Sequence, residues 1–444
     1  MRPINRRQLL KASAVGSFAL GATEYPNAVS APPKQQTIEG TTVTKKPQPF
    51  QWEHDAYGNN YTAGLTGYTG MDYHTVAQLS LMPAWRAQVG NRGFYKAGLC
   101  VLPDGSLLAS PVDTLAPHIQ SPFPSHPGEQ CSPVKLHKST DGGRSWQPLK
   151  HTPLAGKEGS LTCLDNGVLL FTSESLDGVC VSENGGATWR AVGFHTERDD
   201  EYQRISAVRA PIIHPDGTIS FVRCVGTSEA AQKKTPRGYQ SPNCRAWLIH
   251  STDGGRTWNG RTEIQTWEDA FPMFVEADFA RMPDGTILAT TRFEWLHPLQ
   301  DKPLPYPPGK MSNDHSAGHM LLTASTDEGK TWSAPREFLQ YSEVHGQLTL
   351  LQDGRLLCTY THYHLPFGAA AVVSHDYGKT WDFDQPLQLA VSPPLGSAWP
   401  TTRQLDDGTL VTLYAMFPYS SEPPESGRTV CHTVRWELPA RKKS

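Results

Sequence analysis

Through residues 90–438 the chain alternates short apolar runs with clusters of Gly, Pro, Asp, Asn and Ser, and no apolar stripe at helical spacing is sustained. Short runs bounded by turn residues predict strands. Six breaks between runs are Asp-Gly or Asn-Gly: Asp104-Gly105, Asn166-Gly167, Asp216-Gly217, Asp284-Gly285, Asp353-Gly354 and Asp407-Gly408. Around one of them, Arg281-Met282-Pro283 precedes the turn and Thr286-Ile287-Leu288-Ala289 follows it. Asp-Gly between apolar runs is a hairpin signature, so each break is expected to join the first two strands of a sheet.

A second motif alternates with the first and occurs five times. It reads Ser139-Thr140-Asp141-Gly142-Gly143-Arg144-Ser145-Trp146 in its first copy and begins again at Ser182, Ser251, Ser325 and Ser374, ending on Trp189, Trp258, Trp332 and Trp381. These residue types suit a tight turn. Ser and Asp side chains bond backbone N–H groups, Gly takes a positive φ, and Trp buries its ring against the neighbouring sheet.

The pattern is an Asp box, and with five copies the chain resembles the sialidase-like β-propellers. The resemblance covers most of residues 90–438 and implies an all-β fold: a six-bladed propeller of four-stranded antiparallel blades, one blade per hairpin. Only the last blade lacks an Asp box. Its third strand is expected at Thr429 to Glu437, and the region 50–90 is expected to supply the closing strand, leaving no free sheet edge.

The N-terminus changes the picture of where the protein works. Asn5-Arg6-Arg7-Gln8-Leu9-Leu10-Lys11, a weakly apolar run from Ala12 to Ala22, and small residues at Ala28, Ser30 and Ala31 read as a twin-arginine signal peptide over residues 1–31. The run is too short and too glycine-broken to span a bilayer. Residues 32–49 read as a flexible linker and 50–444 as the propeller. The mature protein is thus expected to be periplasmic or secreted, a cargo of the twin-arginine export machinery with no membrane span. A net charge of −3 argues against a general electrostatic grip on nucleic acid. Of eight cysteines, Cys224 and Cys244 form the best candidate bridge, because one ends a predicted strand and the other starts its hairpin partner.

The topology places the chemistry. With the Asp-Gly turns and Asp boxes at one end of the sheets, the starts of the first strands and the ends of the second lie at the other. Long connections at roughly 111–133, 225–243 and 293–317 also emerge there, as loops that build sites do. Counting eight residues back from the Asp or Asn of each hairpin gives Lys96, Glu158, Val208 with Arg209 beside it, Glu276, His345 and Trp399. Charged strand starts are not core patterning, since a buried unpaired charge is costly. Glu276 opens a first strand and Arg292 closes its partner, so the two are expected to meet.

The resemblance implies that Glu276 and Arg292 match the sialidase glutamate that activates a tyrosine nucleophile and one of three arginines that hold the sugar carboxylate. Other positions depart from that pattern. Tyr95-Lys96-Ala97-Gly98 stands where an Arg-Ile-Pro segment belongs, so a lysine replaces a bidentate arginine. Ala398-Trp399-Pro400 stands where the tyrosine belongs. Asp113 is a loose match to the general acid. The blade-five and blade-six segments resemble those of a broad group of bacterial sialidase-like proteins whose substrates the fold does not reveal.

The expected function is therefore an exported exo-glycosidase acting on a terminal sugar, acidic sugars included, without a cofactor or metal. Glu276, Glu158 and His345 are the candidate catalytic groups, with the two glutamates flanking the bond. Arg292, Arg209, Lys96, Trp399, Glu174, His364 and Asp113 are the candidate substrate contacts, with Trp399 stacking on the sugar. Two alternatives remain: a polysaccharide lyase on a uronate-containing glycan, using Arg292 with His345, His362 or His364, and a non-catalytic glycan-binding propeller. His362 and His364 face the same way on a strand, but two ligands do not make a metal site.

Overall fold

A computed structural model describes residues 82–121, 130–156, 158–173, 178–194, 209–226, 244–264, 275–293, 319–333, 336–339, 343–362, 368–391, 397–416 and 429–439. The expected signal peptide and linker, Val208, Glu174 and His364 lie outside them. The described residues form one compact unit within Thr37–Ser444, and none of their helices is long and apolar enough to cross a membrane.

The strands assemble into six four-stranded antiparallel sheets and one small three-stranded sheet among the described residues. In the first five sheets the strands pair in chain order. The first sheet runs Phe94–Val101, Leu107–Asp113, His137–Ser139, Gln147–Pro148. The fourth runs Val275–Arg281, Ile287–Phe293, His319–Ser325, Arg336–Glu337, and the fifth Glu343–Leu350, Leu356–His362, Gly368–Ser374, Leu387–Val391. The sixth takes Ser397–Gln404, Leu410–Met416 and Val430–Trp436 and completes itself with Trp85–Val89, from the other end of the described chain. The region 50–90 thus supplies a fourth strand to the last sheet. The small sheet joins Ile119–Gln120 and Gln130–Pro133, from the first long connection, to Ala155–Gly156 just before Glu158.

The hairpin turns follow from their glycines. In the fourth sheet Gly285 N donates to Met282 O at 3.0 Å and Met282 N to Thr286 O at 2.7 Å, while Asp284 Oδ1 accepts from Thr286 N at 2.9 Å. Only the glycine has positive φ, +90°. This is a three-residue hairpin in which a type I turn is followed by a left-handed residue. In each Asp box the serine hydroxyl and the side-chain oxygen two residues later, a carboxylate in four copies and the Asn184 amide in the second, organise the loop. Ser251 Oγ accepts from Gly255 N at 2.8 Å, and Asp253 Oδ1 accepts from Arg256 N and Thr257 N, each at 2.9 Å.

The core lies between sheets. Separate apolar clusters fill the spaces between the first and second, second and third, fourth and fifth, fifth and sixth, and sixth and first sheets. The Asp boxes knit the same joints. Gly255 of the third sheet packs on Leu170 of the second, Gly378 of the fifth on Leu288 of the fourth, and Trp146 Nε1 of the first donates to Thr433 Oγ1 of the sixth at 3.1 Å. The third and fourth sheets meet where Arg209 N donates to Ala277 O at 2.8 Å.

The cysteine expectation meets a register that does not favour it. Cys224 lies opposite Ala246, and Cys244 opposite Gly226; the side chains of both cysteines lie outside the described residues. Among the described residues Cys100, Cys180, Cys358 and Cys431 are free thiols, all of them buried.

Candidate active site

Four first strands carry the same irregularity. Between Tyr95 and Gly98, Val275 and Asp278, Val344 and Gln347, and Ala398 and Thr401, the first strand advances three residues while its partner advances two. Each is a β-bulge, and the first residue of each is left-handed without being glycine: Lys96 (φ 29°), Glu276 (48°), His345 (60°) and Trp399 (62°). An L-residue in that region costs about 1–3 kcal/mol, and a bulge re-aims its side chain. The residue after each is small or cyclic: Ala97, Ala277, Gly346 or Pro400. The equal spacing counted from the hairpins thus marks four equivalent bulges that point four side chains at one another.

Glu276 lies at the centre. Its Oε1 accepts from Arg292 Nη1 at 2.9 Å and lies 3.7 Å from Lys96 Nζ, while its Oε2 lies 3.3 Å from His345 Nε2. Arg292 Nη1 is also 3.4 Å from His345 Nε2. Lys96 Nζ donates to Glu158 Oε1, so one ammonium touches both carboxylates. The expectation that Glu276 and Arg292 share one end of their hairpin agrees with this contact. Lys96, Glu158, Glu276, Arg292 and His345 are all buried.

Burial sets the electrostatics. It opposes ionisation of Glu276, but Arg292, His345 and Lys96 together outweigh it and hold the carboxyl well below the usual range. For Lys96 burial pulls the other way and is outweighed in turn by Glu158, with Tyr95 and Glu276 adding to it, so the ammonium is more firmly protonated than usual. Tyr95, missed in the sequence reading although it adjoins Lys96, is pushed up to about 12, chiefly by burial.

Two of the candidate substrate contacts are engaged within the protein. Arg209 Nη1 donates to the His345 carbonyl at 2.7 Å, and its Nη2 donates to the Pro400 carbonyl and, at 2.9 Å, to Thr401 Oγ1. Its donors are committed to the fifth and sixth sheets rather than offered to a substrate. Burial lowers this guanidinium to about 10. Trp399 is 2 % exposed, with Lys96 Nζ 4.7 Å and Arg209 Cζ 4.6 Å from its ring centroid and the His345 ring at 5.7 Å. The ring packs within the cation cluster and presents no open face for a sugar.

Asp113 closes the second strand of the first sheet, where its Oδ1 accepts from Leu115 N and Ala116 N, each at 3.1 Å, and caps a turn. His362 is buried at the end of its strand, 3.1 Å from Gln388 Nε2. Asp278, two positions past Glu276, accepts from Leu348 N at 2.7 Å behind the cluster. Among the described residues, no three His, Cys, Asp or Glu side chains could hold a metal ion together.

Residues 307–414 match the family described as a BNR repeat-like domain. A sialidase from Clostridium perfringens is 25% identical over 158 residues, 34% of this chain and 37% of that protein, so the match spans little more than a third of either. Among solved structures, a Dyadobacter fermentans protein of unknown function aligns with a TM-score of 0.56 at 17% identity, over 80% of this chain and 98% of that one. A NanB sialidase variant from Streptococcus pneumoniae aligns at 0.51 and 12%, over 82% and 72%. An α-L-arabinofuranosidase from Fusarium graminearum aligns at 0.50 and 13%, over 81% and 99%. At these identities the likeness is one of fold: a BNR-repeat, sialidase-like propeller.

Proposed function

We propose that this chain is a carbohydrate-active enzyme, an exo-glycosidase that hydrolyses a terminal sugar where the four bulges converge. In this reading the six sheets are the blades of a closed six-bladed propeller and the bulges form one mouth of its channel. Support for closure comes from the joints between successive sheets and from Trp146 reaching Thr433 of the sixth. The observation that carries the function is Glu276, held as a carboxylate by Arg292, His345 and Lys96, with Glu158 on the far side of the same lysine.

Glycoside hydrolysis needs a group that stabilises or attacks the positive anomeric centre and one that protonates the departing oxygen. Glu276, strongly ionised, suits the first role. Glu158 suits the second once a substrate oxygen draws Lys96 away, because a buried carboxyl without its cation takes up a proton. The C–O bond to the leaving group breaks, water supplies the new oxygen at the anomeric carbon, and its proton restores the acid. Arg292 and His345 keep Glu276 in place.

Arg292 beside His345 also gives a lyase its cation and base, so the test must separate the two reactions. The protein is incubated with a panel of neutral and acidic glycans and the products are weighed by mass spectrometry. Products that have gained water support the hydrolase, and unsaturated products without added water would make it a lyase. Binding without any product would reduce it to a lectin-like propeller. The twin-arginine motif supports export, and replacing Arg6 and Arg7 by lysine is expected to leave the protein in the cytoplasmic fraction.

A further inference from the structure

Four cations gather at or behind the bulges, Lys96, Arg209, Arg292 and Arg403, and each already has its partner. Lys96 contacts Glu158 and Glu276, and Arg292 contacts Glu276. Arg209 is spent on two carbonyls and the Thr401 hydroxyl, and Arg403 Nη1 donates to the Thr402 carbonyl at 2.8 Å. Glu158, Glu276, Asp278 and Glu343 are buried carboxyl groups of the same strand starts, so these cations already face acidic groups of the protein itself. An entering carboxylate would shed its hydration, meet no uncommitted cation among the described residues, and sit beside two anions. One group, by contrast, has room for a donor: Glu276 Oε2 is buried and, although His345 Nε2 lies 3.3 Å away, accepts no hydrogen bond among the described residues.

Resting on the glycosidase reading above, we infer that the sugar this site takes is uncharged. A hydroxyl supplies what Glu276 Oε2 lacks, and further hydroxyls accept from Lys96 and Arg292. A uronic or sialic acid offers its carboxylate no such place. The departures from the sialidase pattern at Lys96 and Trp399 agree with this: one removes a guanidinium fork, and the other fills the space between two cations with a ring.

The test uses matched nitrophenyl glycosides that differ only at carbon six, glucoside with glucuronide and galactoside with galacturonide, in both anomers, together with an arabinofuranoside and a sialoside. A neutral member is expected to exceed its acidic counterpart by about tenfold or more in kcat/KM, since like charges at a buried site are strongly disfavoured. A preference for the acidic members would overturn the inference while leaving the glycosidase reading intact. No hydrolysis of any glycoside or of the natural panel would defeat that reading, and the inference with it. Glu158→Gln removes one partner of Lys96, and its residual activity is expected to shift toward the uronide by about tenfold relative to the neutral sugar. An unchanged ratio in a folded variant would show that charge matching does not set the preference.

Discussion

Arg292 Nη1 donates to Glu276 Oε1 at 2.9 Å across the hairpin of the fourth sheet, and both side chains are buried. The β-bulge at Glu276 makes the contact possible, because it turns the strand's second residue toward the end of its partner. The carboxylate consequently stands ready, ionised and held, before any substrate arrives.

Glu276→Gln keeps the shape and removes the charge. Turnover of the glycan identified in the panel is expected to fall by about 1,000-fold or more, the scale of losing a group that acts on the reacting centre. Far-ultraviolet circular dichroism should match the parent. A folded variant with parental kcat would remove Glu276 from the chemistry.

The same substitution has a signature in pH. The folded carboxyl of Glu276 titrates below the ordinary value of 4.5. Below that value the unfolded chain gains a proton that the folded chain refuses, so the stabilisation present at neutral pH is lost as pH falls toward the folded pKa. The parent should therefore lose melting temperature faster than Glu276→Gln between pH 6 and pH 3, on the order of the carboxylate range. Parallel curves would show that Arg292, His345 and Lys96 do not hold the charge.

Trp399→Ala tests the packed ring. Removing a buried tryptophan costs about 3–5 kcal/mol, and Lys96 and Arg209 lose the ring between them. Urea denaturation should show an unfolding free energy lowered by an amount of that order. A shift under about 1 kcal/mol would mean that the ring is not what keeps the cluster together.

Much of this was legible in the chain. Asp boxes and Asp-Gly hairpins repeat because each sheet needs the same two tight turns, and turn chemistry is local. The eight-residue offset found Lys96, Glu158, Glu276, His345 and Trp399 for the same reason. The bulges themselves were not legible, because the left-handed positions are held by Lys, Glu, His and Trp rather than by glycine. Nor were the duties of Arg209 and Trp399, since carbonyls of the fifth and sixth sheets and a lysine of the first leave no trace near either residue in sequence.

Gly98 tests a close approach between the first two sheets. A Cβ there would lie 2.5 Å from Leu161 N and 2.8 Å from Leu161 Cβ. Backbone cannot step aside as a flexible side-chain tip can, so Gly98→Ala is expected to cost about 1–3 kcal/mol. Chemical denaturation reads this directly, and a neutral result would mean that the two strands sit farther apart.

Asp253→Ala removes the acceptor for Ser251 Oγ, Arg256 N, Thr257 N and Thr257 Oγ1. Those donors can reach water, so the loss is expected at about 1–2 kcal/mol, similar to that of a helix cap. Glycan turnover should stay unchanged, because the box lies at the opposite end of the sheet from Glu276. A large loss of activity at intact stability would contradict that placement.

The pairing of Trp85–Val89 with Val430–Trp436 has a bearing on how the molecule is made. A ribosome delivers the first of these segments long before the second, so the early one must wait, unzipped, until synthesis has nearly finished. Their pairing unites the most distant stretches of the described chain, a non-local contact of the kind that slows folding. A break in either segment would leave the sixth sheet without its fourth strand.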